Sequence, residues 1–365
     1  MQGRLPRCYV ELDSSAFAHN LQRARDFTPT SNLMAVIKAN GYGHGIDLSA
    51  QHLDDADEFA VTSVEDALVL RQTGVSKPLT LLSPTFDTAD LNYFSKNSIR
   101  PVIYEYEQLA QINSMEESQS LSLWVKVDTG MGRLGFDVDE VVAVCARLAR
   151  HPNVENISLM THLANADNSN EPLNEQQISS FKRLLKLLKE HEVEIENTSV
   201  LNSAGVVGYN EAAFDFVRPG IMLYGISPQQ GTSAYELGLK PVMTLKSQVL
   251  SVRRMPAGSR VGYGGTYTLD SDSRLAYVAC GYGDGYPRHA PSGTPVSVNG
   301  FLVPLVGRVS MDMLAIDVGE LPVEIGDPVT LWGEANPIED VAASAGTIAY
   351  ELTCGITARV ARFVV

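Results

Sequence analysis

Between residues 33 and 225, short apolar runs alternate with longer stretches in which apolar positions return every three or four residues. The runs cover residues 33–38, 59–63, 79–83, 101–104, 123–128, 157–162, 199–202 and 214–218. A short apolar run bounded by turn-forming residues reads as a buried strand. Residues 48–55, 64–72, 89–95, 106–114, 138–150 and 175–191 carry helical spacing instead. In the longest of these, Phe181, Leu184, Leu185 and Leu188 share one face and Lys182, Lys186 and Lys189 lie mostly off it, as in a helix laid on a core. Alternating strand and helix implies parallel strands, and eight of them closing on themselves predict a (β/α)8 barrel. An open doubly wound sheet is the alternative, weakened because no GxGxxG follows the first run.

From about Pro241 the helical spacing stops. Residues 243–249 alternate apolar with mostly polar, and 251–254 extend the pattern. Further strand-like runs at 276–280, 295–298, 301–306, 314–318 and 329–332 are punctuated by Gly and Pro, which predicts a mainly antiparallel β domain. The polar stretch 227–238 forms the joint, dividing the chain into 1–232 and 233–365. Residues 8–12 also alternate and are able to cross over to pair with the second domain.

Composition narrows the function. The chain has 365 residues, long enough for two domains, and a formal net charge of -15, which repels nucleic-acid phosphates and anionic lipid. No apolar run spans a membrane and no signal-peptide pattern opens the chain, so a cytoplasmic location is expected. Cys8, Cys145, Cys280 and Cys354 lack CxxC spacing, and the histidines lack ligand spacing, so neither disulfides nor a metal are expected.

The chemistry collects at the ends of the apolar runs. Lys38 closes the first, with Gly41, Gly43 and Gly45 close behind. It is either a surface lysine entering a turn or a desolvated amine able to form a Schiff base with an aldehyde cofactor. Lys126 lies late in the fifth run with Arg133 in the loop after it, His162 closes the sixth, Ser203 follows the seventh and Arg218 closes the eighth. Singly, His162 reads equally as a core histidine, Ser203 as a helix cap and Arg218 as a surface ion-pair partner. In a barrel, however, all of them would face one mouth, where barrels place their active sites. In the second domain, Gly262-Tyr263-Gly264 and Gly281-Tyr282-Gly283-Asp284-Gly285 are either hairpin turns or places where small neighbours leave a tyrosine hydroxyl open to a ligand. Arg308 and Asp312 interrupt an apolar pattern, and burial would require them to pair.

These segments, with Asp128-Thr129-Gly130-Met131-Gly132-Arg133-Leu134-Gly135, Asn202-Ser203-Ala204, Val217-Arg218-Pro219-Gly220-Ile221, Met311-Asp312 and Tyr350-Glu351, stand in an order and spacing by which the chain resembles the alanine racemase family along nearly its whole length. The resemblance implies a barrel-plus-β-domain enzyme that uses pyridoxal 5'-phosphate, interconverts L-alanine and D-alanine, and supplies D-alanine for peptidoglycan. It also implies a homodimer whose active sites take residues from both subunits. A related racemase preferring serine or a broader set of small amino acids is the alternative. A decarboxylase of similar fold would suit an acidic residue at 218, and a cofactor carrier would have no use for Tyr263.

The resemblance also distributes roles. Racemisation removes a proton from one face of Cα and returns one on the other, so two acid/base groups must flank a planar carbanion. Lys38 and Tyr263 of the second subunit are the pair implied, with His162 linking Tyr263 to Arg218. Arg218 would face the pyridine nitrogen, and because arginine only donates, that nitrogen stays unprotonated and the electron sink is weak. Tyr42, Ser203 and Tyr350 hydroxyls, with the Gly220 and Ile221 N–H groups, would hold the phosphate. Arg133 and the Met311 N–H would hold the substrate carboxylate, with Tyr282, Tyr350 and Asp312 nearby in a small pocket. Lys126 matches a lysine that many members carry as a carbamate. Where some members have cysteine before the Met-Asp pair, this chain has Ser310.

Overall fold

The computed structural model describes residues 6–84, 86–116 and 118–365. Eight parallel strands, Asn32–Val36, Glu58–Val61, Leu79–Leu81, Ile99–Ile103, Leu121–Asp128, Val154–Met160, Thr198–Asn202 and Phe216–Arg218, close into a barrel. Closure is made at two seams: Val102 pairs with Trp124, and Phe216 pairs with Asn32. The interior is apolar because these strands are buried on both faces; Leu33, Met34, Ala35, Phe59, Leu79, Val102 and Val125 are essentially inaccessible. Each expected strand is present within a few residues, and the open-sheet alternative is excluded by the closure.

Three local expectations change. The first strand ends at Val36, two residues before Lys38, and the sixth ends at Met160, two before His162. A helix at Ser14–Phe27, capped by the Asp13 carboxylate, precedes the first barrel strand. Its buried stripe of Ala16, Phe17, Leu21 and Ala24 is diluted by small residues and by Asn20. Asn20 is buried yet satisfied, since its amide donates to Leu223 O and Lys240 O and accepts from Lys240 N.

The second domain is an eight-stranded sheet centred on the long strand Met243–Met255. Cys8–Leu12 joins it, antiparallel to Met243–Ser247 on one side and parallel to Ala361–Val364 on the other. Cys8–Leu12 therefore belongs to the β domain although it precedes the barrel strands. Helical spacing does not stop at Pro241, because Ile338–Ala345 and Ala349–Cys354 are helices. The second of these packs against the segment that follows the first barrel strand. Among the described residues no helix is long and apolar enough to cross a membrane.

Candidate active site

Residues 38–45 turn the chain sharply off the first barrel strand. Ala39, Asn40, Gly41 and Tyr42 have φ of 52°, 54°, 61° and 51°, one turn of left-handed helix. Left-handed backbone costs about 1–2 kcal/mol for each non-glycine residue, so this turn survives only because its surroundings hold it. The Ile46 N–H donates to Asn40 Oδ1 at 3.0 Å, the Gly45 N–H to Asn40 O at 2.8 Å, and the Gly43 N–H to Ala39 O at 3.1 Å. Gly43 (φ 84°) lies so close to the helix Ala349–Cys354 that a Cβ there would be 2.1 Å from Thr353 O.

The turn delivers Lys38 and Tyr42 to the barrel mouth. The Tyr42 ring is buried between Tyr224 and Tyr350, with centroids 4.9 and 5.9 Å away. Its hydroxyl reaches the bare Cα of Gly220, where a Cβ would come within 2.4 Å of it. Ser203 completes the cradle: Asn202, not Ser203, caps the following short helix, and the Ser203 hydroxyl accepts from the Gly220 N–H at 2.7 Å. Its own proton stays available for a ligand. Ile221 begins the next turn of chain.

Arg218 is buried at the end of the eighth strand and is not a surface ion-pair partner. Its guanidinium donates to Ser199 Oγ, Thr161 O and Val200 O, and lies 3.4 Å from His162 Nδ1. Arginine cannot accept, so the imidazole presents its Nδ1 lone pair to Arg218, while its Nε2 lies 3.4 Å from the Asn202 amide nitrogen. Burial, with Arg218, Lys126, Arg133 and Lys38, drives the His162 pKa well below its ordinary value and keeps the ring neutral.

Arg133 sits in a loop wound around a carboxylate. Asp128 accepts the N–H groups of Gly130, Met131, Gly132 and Arg133 at 2.7–3.2 Å. Burial pushes this carboxyl up, but the backbone donors outweigh it and hold the pKa below its usual range. Burial and then Arg133 lower the pKa of Lys38, and burial, Arg133 and Arg218 bring Lys126 down to about 8. Burial takes Arg218 to about 10, still protonated at neutral pH. Lys38, Lys126, Arg133, His162 and Arg218 therefore share one mouth that is strongly favourable to anions.

The remaining candidates form a second group in the β domain. Tyr263 is 68 % exposed on the turn Tyr263–Gly265, and Tyr282 and Met311 are also exposed. The Tyr282 and Gly283 N–H groups donate to Ser310 O and Met311 O at 3.0 and 2.9 Å, fixing the two loops together. Asp312 pairs with Arg359 at 2.7 Å and Arg7 at 3.4 Å rather than with Arg308, which is exposed. Among the described residues, the hydrogen bonds of Tyr282, Met311 and Asp312 stay within this domain, and none reaches the cation group at the barrel mouth. Arg7, Asp284 and Arg359, which organise these loops, went unassigned from sequence; the only signal was Asp284 within its glycine-rich segment.

Cys8, Cys280 and Asp284 place their ligand-type atoms within 4.8 Å of one another. Both Asp284 oxygens are engaged by Arg7, Arg359 and the Gly281 N–H, and two guanidiniums beside the cluster oppose a cation.

Family models described as alanine racemase N-terminal domain and alanine racemase C-terminal domain match residues 12–228 and 242–364. An alanine racemase of Coxiella burnetii (strain RSA 331 / Henzerling II) is 42% identical over 97% of this chain and 98% of its own length. One from Vibrio vulnificus (strain CMCP6) is 44% identical over 96% of each. Among solved structures, the biosynthetic alanine racemase of Pseudomonas aeruginosa superposes with a TM-score of 0.94 at 42% identity, covering 99% of this chain and 100% of that one. The alanine racemase of Acinetobacter baumannii gives 0.92 at 36% identity, covering 99% and 100%.

Proposed function

We propose a division of labour among these side chains on one premise: the chain belongs to the alanine racemase family. It is an isomerase that interconverts L-alanine and D-alanine. A preference for serine or a broader set of amino acids is not favoured, since the relatives compared above are alanine racemases.

The cofactor we assign is pyridoxal 5'-phosphate. The residues fit it: the missing Cβ of Gly220 lets the Tyr42 hydroxyl approach the backbone that Ser203 also touches, and the Tyr42, Ser203 and Tyr350 hydroxyls with the Gly220 and Ile221 N–H groups would hold a phosphate. When bound, it supplies an electron sink for the charge left on the substrate Cα. Arg218, which can only donate, would hold the ring nitrogen without protonating it and so keep that sink weak.

That one left-handed turn carries both Lys38, whose pKa burial lowers, and Tyr42, whose hydroxyl meets Gly220, is the observation that supports the reading most. Lys38 Nζ exchanges the Cα proton on one face. The phenol of Tyr263 from a second copy exchanges it on the other, with His162 linking that hydroxyl to Arg218. The exposure of Tyr263 supports a homodimer with shared sites. Arg133 and the Met311 N–H of the second copy would take the substrate carboxylate, while Tyr282 and Asp312 of that copy would line the approach. Lys126, with a pKa of about 8, has enough unprotonated amine to bond carbon dioxide, releasing a proton. The resulting carbamate turns a cation beside Arg133 into an anion that steadies it.

The unpaired thiols support a cytoplasmic site of action, and D-alanine for peptidoglycan is the product's proposed use. The family-model limits at 228 and 242 support a domain joint near 232. A chiral assay of L-alanine with added pyridoxal phosphate tests the whole reading. D-alanine should form with the wild type and not with Lys38→Ala, and its absence from the wild type would overturn the assignment.

A further inference from the structure

His44 is fully buried, lies outside every role assigned above, and touches the strained turn at the point where that turn is set. Its Nδ1 is 3.0 Å from both Gly41 O and Tyr42 O. Carbonyls only accept, so Nδ1 carries the proton and is shared between two consecutive left-handed residues. The ring also stacks on Tyr224 at 4.6 Å, and Tyr224 packs at 4.9 Å against Tyr42 and donates to Val36 O at 3.3 Å. Nε2 is buried with no hydrogen-bond partner among the described residues.

We propose that His44 is a positioning residue: its Nδ1–H clasps the carbonyls of Gly41 and Tyr42, and its ring, through Tyr224, fixes the Tyr42 ring, so that the Lys38 amine and Tyr42 hydroxyl are aimed together. Two observations support a neutral clasp rather than an acid or base. Burial brings its pKa down to about 4 against the opposing pull of the two carbonyls, and its contacts are with backbone and aromatic rings. The inference deepens the cofactor assignment above and rests on it.

The test compares His44→Asn, whose amide nitrogen occupies nearly the place of Nδ1, with His44→Leu, which has no donor, and His44→Gln, whose donor lies one bond farther out. Stripped proteins are titrated with pyridoxal phosphate by visible absorbance, and kcat, KM and Tm are measured alongside. His44→Asn should stay within threefold of wild type in dissociation constant and in kcat. His44→Leu and His44→Gln should weaken cofactor binding at least tenfold and lower kcat more than they raise KM. Wild-type binding and kcat in either donor-misplaced variant would overturn the role, as would His44→Asn impaired as deeply as the others. Because the glutamine variant keeps a polar side chain of similar size, the outcome is readable even if the leucine variant does not fold. A wild type that binds no pyridoxal phosphate would overturn the cofactor assignment instead.

Discussion

The Arg218 guanidinium stands 3.4 Å from His162 Nδ1, the arginine buried and the imidazole half-buried. A fixed cation against an imidazole lone pair makes the ring a poor base. Arg218→Gln should therefore raise the His162 pKa, though not to the ordinary value, because burial is the larger cause and remains. Titration by NMR checks this; an unchanged pKa would mean that the arginine does not govern the ring.

Tyr263→Phe removes one hydroxyl from an exposed turn and nothing from the core. If that hydroxyl serves the second face of Cα, racemisation falls about 10²–10⁴-fold while cofactor binding is retained. Mixing this variant with Lys38→Ala should restore part of the rate, because a mixed dimer would carry one intact pair. Equal rates for the variant and the wild type would show the second base to be another group.

A Cβ at Gly220 would fall 2.4 Å from the Tyr42 hydroxyl. Gly220→Ala should keep its fold, measured by circular dichroism, and lose at least about tenfold, ~1.4 kcal/mol, in pyridoxal phosphate affinity.

Carbamate formation on Lys126 needs the unprotonated amine, whose share grows as pH rises through about 8. ¹³C-bicarbonate should give a carbamate NMR signal that strengthens from pH 7 to 9 and is missing from Lys126→Ala. A bare Nζ in a high-resolution map of the enzyme kept in bicarbonate would remove the modification.

Low in the barrel, Glu58 is buried between Thr80 and Arg100, whose Nη1 is 3.5 Å away. Burial raises its pKa against the pull of Arg100 and Thr80. A carboxyl whose folded pKa is raised contributes stability below its unfolded pKa and loses it as pH climbs through the folded value. Glu58→Gln cannot ionise, so its Tm relative to wild type should increase from about pH 4 to about pH 7. A Tm difference that does not change with pH would count against this account.

What could be read without coordinates followed from local period. The eight strands and the longer amphipathic helices carry their signal in a few consecutive residues, and the buried parallel strands are continuous apolar runs for that reason. Ser14–Phe27 escaped because two alanines and one satisfied asparagine thin the apolar stripe that Phe17 and Leu21 contribute. The short helix Ala349–Cys354 escaped because too few turns are present for a period to show.

By itself, then, the sequence determined the barrel and the β domain, since periodicity is a property of neighbours along the chain. Only the tertiary structure decided that Lys38 opens a left-handed turn, that Asp312 takes Arg359 rather than Arg308, and that His44 clasps the turn. Each of these depends on what a distant segment brings within a few ångströms: Thr353 beyond Gly43, Arg359 beside Asp312, Tyr224 against His44. Backbone strain and charge pairing are settled by such partners, and spacing along the chain carries no information about them.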